Sequence, residues 1–200
     1  MKTKLALSLI FAVASANAAT ISFSNYDSGS FAGLAIVDSS NNLLGLTSTA
    51  EIGYFSDESL VGSGDFSTWV SFGSAANFGA GFGITGLFGG DTSTSTAGTS
   101  AFIGKNITTF ITNSSGTEYL VAKSAQTFGQ DNPLFTADIN LYSDTNISYL
   151  FGGSAGASVD YGTGAQSSIQ TAAVVVPEPS AYALLGGLLA LTCVMLRRRA

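Results

Sequence analysis

Between Ala19 and Val176 the chain has no run in which charged helix formers such as Glu and Lys recur. Gly, Ser, Thr, Asn and aromatic residues dominate instead. Those types favour strands and turns over helices, so the segment is expected to be all-β. Strands are predicted at Thr20–Ser24, Gly33–Val37, Leu43–Thr47, Glu51–Phe55, Phe66–Phe72, Ile107–Thr112, Glu118–Lys123, Leu134–Leu141 and Ile147–Phe151, each an apolar or alternating run bounded by turn residues. No helical periodicity is long enough for a crossover between parallel strands. The regular spacing of strand and turn signals points to two packed antiparallel sheets, a β-sandwich or jelly roll.

Two turns stand out. Asp38-Ser39-Ser40-Asn41-Asn42 separates two apolar runs, and Asn113-Ser114-Ser115-Gly116 separates NITTFIT from TEYLVAK. Asn and Gly tolerate positive φ, and the flanks of the second turn are β-branched and aromatic, so residues 106–123 form the best-defined predicted hairpin. The segment Phe72 to Asp91, where Gly and Phe alternate irregularly, is compatible with two short strands, a helical turn or a long loop. Thr92 to Ser100, TSTSTAGTS, is of low complexity and is expected to be a solvated loop.

The 158 residues from Ala19 to Val176 are one domain's worth of chain, enough to bury a core. They carry two lysines, Lys105 and Lys123, against twelve acids, a net charge of about −10. Such a chain has no electrostatic means of holding nucleic acid or anionic lipid. The single cysteine, Cys193, lies near the C-terminus, which leaves the domain no disulfide. Histidine is absent, which removes Ser-His-Asp and Cys-His catalysis and His-ligated metals. No cofactor is expected.

The two ends carry a different kind of signal. Lys2 and Lys4 precede the apolar run Leu5 to Val13, and Ala16-Asn17-Ala18 is an A-x-A site, so residues 1–18 fit a signal peptide cleaved between Ala18 and Ala19. At the other end Pro177-Glu178-Pro179 keeps the chain out of helix and sheet ladder. Beyond the triplet come the apolar span Ala181 to Leu196 and then Arg197, Arg198 and Arg199. The span is about 24 Å as a helix at about 1.5 Å per residue, short against a hydrocarbon core of about 30 Å. Snorkelling arginine stems extend the usable length of this short transmembrane helix. Positive charge beside a span stays cytoplasmic, so the arginines point inward and residues 19 to 180 lie outside.

The ordered triplet, span and arginine cluster of residues 174–200 resemble the PEP-CTERM sorting signal of Gram-negative bacteria. The resemblance is confined to the last 25 or so residues. It implies a chain handled by a membrane-embedded exosortase, with Pro177, Glu178 and Pro179 as the recognition element and the chain as substrate, not enzyme. It also implies an association with the cell envelope or with exopolysaccharide and biofilm. The chain is thereby divided into signal peptide 1–18, exported all-β domain 19–173 and sorting signal 174–200.

Within the domain the remaining motifs are weaker. Gly81-Phe82-Gly83-Ile84-Thr85-Gly86 matches G-x-G-x-x-G, but it leads into more glycine and a Ser/Thr tract where a dinucleotide site needs a helix, so a structural loop is expected. Asp138, Asn140, Asp144 and Asn146 place four oxygen-bearing side chains close in sequence, as candidate calcium ligands or as turn formers. Asp57-Glu58 is the one adjacent acid pair and is expected in a solvated turn. Two alternatives to a structural protein remain open. A carbohydrate-binding module could stack a sugar on Tyr26, Tyr54, Trp69 or Tyr119; three or more of these on one exposed face would favour it, and burial of Trp69 in the core would count against it. A carboxylate hydrolase would need two acids about 5 to 10 Å apart across a cleft.

Overall fold

A computed structural model describes residues 19–80, 83–94, 101–129, 135–161, 164–174, 187–189 and 191. Its described part is built of strands in several sheets, as the composition requires. Strand β1, Ala19–Ser24, shows why: in ATISFS the residues Ala19, Ile21 and Phe23 are buried, while Thr20, Ser22 and Ser24 alternate onto the other face. With β2 over Ala35–Val37, β3 over Thr49–Phe55, β4 over Trp69–Ser71, β5 over Ala76–Asn77 and β6 over Gly89–Thr94, the first half of the chain is complete. The second half supplies β7 at Asn106–Thr112, β8 at Glu118–Thr127, β9 at Thr136–Asn140 and β10 at Ile147–Phe151. Four short strands close it: β11 Val159–Asp160, β12 Ala165–Gln166, β13 Ser168–Gln170 and β14 Ala172–Ala173.

One sheet has three strands in the order β6-β1-β9. The larger one runs β10-β8-β7-β3-β4, with β14 added to β8 and β5 to β3. Two small pairs, β2 with β13 and β11 with β12, complete the set. Ile21 and Phe23 of β1 and Ile139 of β9 share one buried cluster with Ala50 and Ile52 of β3, Ile107 and Ile111 of β7, and Leu120 and Ala122 of β8. The inner faces of both sheets therefore contribute to one core. The opposite face of the larger sheet buries a second cluster, Phe55, Val61 and Val121, with Phe66, Trp69, Phe110, Leu150 and Phe151 packed against it.

The β7–β8 hairpin forms as its sequence predicts. Asn113 Oδ1 accepts from the Thr117 and Glu118 amides at 2.9 and 3.2 Å, and Gly116 takes φ +68°. The turn at 38–42 also forms, with Asp38 Oδ1 accepting from the amides of Ser40 and Asn42 and Asn41 at φ +64°.

Four expectations are corrected. Two pairings among the described residues are parallel, β1 with β9 and β2 with β13, so the sheets are not purely antiparallel. These pairs are joined through intervening strands, which removes the need for a helical crossover. Leu43–Thr47 is not a strand: Leu43 makes one bridge to Val37, then Leu44 turns into the core and the chain turns at 46–47. Thr92 to Thr94 are not loop but the end of β6, and the Thr92 hydroxyl is buried, donating to Phe72 O and accepting from the Ser74 amide. Asp57 and Glu58 do not sit in a simple turn. Asp57 caps a 3-10 helix over Glu58–Ser63, and Gly64 closes it at φ +79°.

The remaining differences are of extent. Phe66–Phe72 shrinks to β4 because Phe66 to Thr68 turn across the second cluster. Of the segment Phe72 to Asp91, β5 and the start of β6 form the two short strands, bridged at Phe78 and Phe88. Gly83 and Gly86 both have positive φ, and they lead into β6 and not into a helix.

Candidate functional site

A polar cleft of about 580 Å³ lies on the outer face of the β6-β1-β9 sheet. Pleat and register determine its floor. Ser22 pairs with Asp91 on one side and Asp138 on the other, and Ser24 pairs with Gly89 and Asn140. Since Ile21, Phe23 and Ile139 are buried inward, the alternating residues of these rows face out. The first row is thus carboxylate, hydroxyl, carboxylate; the second is bare backbone, hydroxyl, amide.

Tyr26 forms one wall. Its ring lies on Gly89, where an added Cβ would stand 3.0 Å from Cε1 and 3.1 Å from the hydroxyl oxygen. Asn140 Nδ2 donates to the Tyr26 carbonyl at 3.1 Å and so ties the wall to the floor. The loop beyond is tightly determined. Phe31 adopts φ +54°, which costs energy for a bulky residue, and is held by a parallel stack on Tyr26 and by its amide bond to Asp27 O. Asp27 accepts from Ser30 Oγ and the Gly29 amide. The Ser30 hydroxyl is the main cause that keeps this carboxyl below its ordinary value.

Two of the four calcium candidates have their side-chain oxygens engaged. Asn140 Oδ1 accepts from the Tyr142 and Ser143 amides, while Asp144 accepts from the Asn146 amide and from Ser124 Oγ. These oxygens are spent on turns, and among the described residues no three His, Cys, Asp or Glu side chains form a group able to hold a metal. Asp138 and Asn140 lie on β9, and Asp144 and Asn146 lie in the turn region that follows it.

The four candidate platform rings do not share one exposed face. All four are half-buried. Tyr26 belongs to the cleft. Tyr54 packs toward the main core edge-on to Phe102 at 5.1 Å, under Lys105 Nζ at 5.7 Å. Trp69 and Tyr119 both join the aromatic patch on the far side of the larger sheet: Trp69 lies 4.9 Å from Phe55 and 5.1 Å from Phe110, and Phe110 stacks on Tyr119 at 5.7 Å. Trp69 Nε1 donates to Glu51 Oε2 at 3.1 Å. These rings serve packing.

Asp57 and Glu58 offer no paired chemistry either. Asp57 accepts from the Ser59 amide and hydroxyl, and Glu58 bridges Lys123 at 2.6 Å. Sequence reasoning missed Asp91 and Ser22 altogether. The outward Ser22 and Ser24 of TISFS were visible as the polar half of an alternation, but Asp91 was hidden by the low-complexity tract it adjoins.

Of the terminal signals, Ala16 and Ala18 lie outside the described residues and Ala19 opens β1. Pro177, Glu178, Pro179, Arg197, Arg198 and Arg199 also lie outside them. Residues 187–189 and 191 of the apolar span are helical, and among the described residues no helix is long and apolar enough to cross a membrane. No family model matches this chain, and neither a curated protein nor a solved structure does.

Proposed function

We propose that this chain is an exported structural protein of the cell surface or extracellular matrix, delivered by the general secretory machinery and processed by an exosortase. The observation that carries the reading is the fixed order of signals in one chain: A-x-A at Ala16–Ala18, then Pro177-Glu178-Pro179, the apolar span 181–196 and Arg197–Arg199. The span anchors the chain in the membrane before processing, and the body meets exopolysaccharide outside. The strand layout supports this. The described pairings begin with Ala19 in β1 and reach Ala173 in β14, so removal of residues 1–18 and of the tail beyond Pro179 breaks none of them. The body is a β-sandwich in this reading, for which the core shared by the two larger sheets is the support. It is stabilised without a disulfide, since the chain's one cysteine, Cys193, lies in the apolar span.

The test is the intact mass of the protein from cells with and without their exosortase, fractionated into membrane, envelope and medium. The expected result is a form beginning at Ala19 and lacking the residues after about Pro179, present only with the enzyme. A form that keeps Arg197–Arg199 in both strains overturns the processing step.

A further inference from the structure

β14 leaves the body beside an apolar groove of about 330 Å³, lined by Gly64, Phe66, Gly116, Thr117, Tyr119 and Val174. Folding fixes its walls. Phe66 lies 4.7 Å from Tyr119, Phe110 stacks on Tyr119 within 2° of parallel, and the Tyr119 hydroxyl donates to Gly116 O, which lays the ring along the hairpin turn. The described lining carries no charged side chain, so the groove favours an apolar occupant over water. The chain itself is aimed into it. Ala172 pairs with Tyr119 and Ala173 with Glu118 in antiparallel register, so each further residue of β14 moves one place back toward the turn. Pleat decides which side chains then face the groove. Ala172 and Val174 are half-buried while Ala173 is exposed, the alternation of a strand with one covered face. Tyr119, opposite Ala172, belongs to the aromatic patch, which puts Ala172 and Val174 on that side too. Val174 is seated there: a Cβ added to Gly64 would stand 2.9 Å from its Cγ1.

We propose that this groove is the docking site of the chain's own Val176, which continues β14 past Val174 and brings the start of Pro177-Glu178-Pro179 to the surface of the body. The period of two selects the residue: after Ala172 and Val174 the next side chain on the groove face is that of Val176, and Val175 falls on the other face. The chemistry agrees. Val175, Val176 and Pro177 are all apolar, and Glu178 is the first charge after Val174, so the uncharged stretch is spent where the groove can take it. Among the described strands β14 pairs with β8 alone, so Pro177, which has no amide to give, ends an edge strand without breaking a ladder. An occupant tethered two residues from Val174 also enters at high effective concentration, which disfavours a separate peptide or a second copy. The triplet then begins with no free spacer between it and the folded body. This docking does not depend on how the tail is processed.

The experiment is thiol labelling of the full-length chain in detergent micelles with a maleimide. Cys193→Ser removes the native thiol, and Val176→Cys is compared with Val175→Cys, a melting temperature near that of the parent showing that each variant folds. The expected result is labelling of Val176→Cys about tenfold or more slowly than Val175→Cys in the folded protein, with equal rates in urea. Thr117→Glu, which puts a charge into the groove from an exposed position, should raise the rate of Val176→Cys and leave that of Val175→Cys unchanged. Equal rates at the two positions in the folded protein overturn the proposal, whether both are fast or both are slowed, the latter showing cover by the micelle. Protection of Val176→Cys that fades on dilution overturns it as well, and shows a second copy in the groove. None of these outcomes bears on the exosortase cut, which the intact mass reads separately.

Discussion

Asn25 is wholly buried, and its amide joins three segments of the chain. Nδ2 donates to Leu34 O at 2.8 Å and to Gly86 O at 2.9 Å, while Oδ1 accepts from the Phe88 amide at 2.8 Å. Replacing it with alanine leaves one amide and two carbonyls without their partner in a dry site. At about 1 to 3 kcal/mol per unsatisfied group, Asn25→Ala is expected to cost about 3 kcal/mol or more, read as a lower urea midpoint. Gly53 is a second single-residue constraint, and a spatial one. A Cβ there would meet the Val70 carbonyl and stand 2.8 Å from the Trp69 ring. Gly53→Ala should therefore cost about 1 to 3 kcal/mol, with altered tryptophan fluorescence in the folded state; an unchanged melting temperature would show that β4 moves aside freely. Neither role was legible in the sequence. FSNYD marks Asn25 only as a turn former, because what makes it structural lies up to 63 residues away.

At the scale of elements, legibility followed locality. The β7–β8 hairpin was readable because turn chemistry and flanking alternation sit in one stretch of chain. β6 was not, because Asp91 faces the cleft and the Thr92 hydroxyl makes a buried bond to Phe72 O, so the sequence GGDTST lacks the apolar alternation that marks a strand. The 3-10 helix at Glu58–Ser63 was equally hidden, having one buried residue, Val61. That helix and Phe66 cover the second face of the larger sheet, and two interactions compete to explain their hold. Phe66 packs at 4.7 to 6.2 Å from Tyr119, Phe110, Phe151 and Phe55. The Glu58–Lys123 bridge is exposed, with side chains 41% and 26% accessible. Aromatic packing should win. Phe66→Ala is expected to cost about 2 kcal/mol, less than a full core truncation because the ring is half-buried. Lys123→Ala should cost under about 1 kcal/mol and less still in high salt. Chemical denaturation of the two variants at low and high salt separates them, and a larger loss for Lys123→Ala would reverse the assignment.

For the molecule as a whole, the all-β character was legible because it is compositional. The pairing of β1 with β9, and with it the cleft floor, was not, because no local signal couples strands so far apart in the chain. Charge is also a whole-molecule property, and it sets a pH dependence with two opposing parts. Acidification relieves the mutual repulsion of a strongly negative body, which favours folding. It also protonates carboxylates that the folded state uses. Ser30, Ser59 and Ser67 hydroxyls hold Asp27, Asp57 and Asp65 below their ordinary values. Glu118 is raised by burial, but the bonds from Ser39 and Thr171 outweigh that and leave it lowered; in Asp38 the bonds from Asn42 and Ser40 do the same. A depressed folded value means that the stabilisation is complete above the unfolded value, about 4.3 for glutamate, and is withdrawn as pH falls through the folded one. Repulsion between solvent-exposed charges is screened by salt over a length of about 8 Å at 0.15 M, whereas the lost bonds act at contact. The second part should dominate. The melting temperature is expected to be flat from about pH 7 to 5.5, where a chain without histidine has few groups to titrate, and to fall below about pH 4.5. Glu118→Gln should melt lower at neutral pH and fall less steeply in acid. A wild-type melting temperature that rises on acidification would show that repulsion governs this fold, and parallel curves for the two proteins would remove Glu118 from the account.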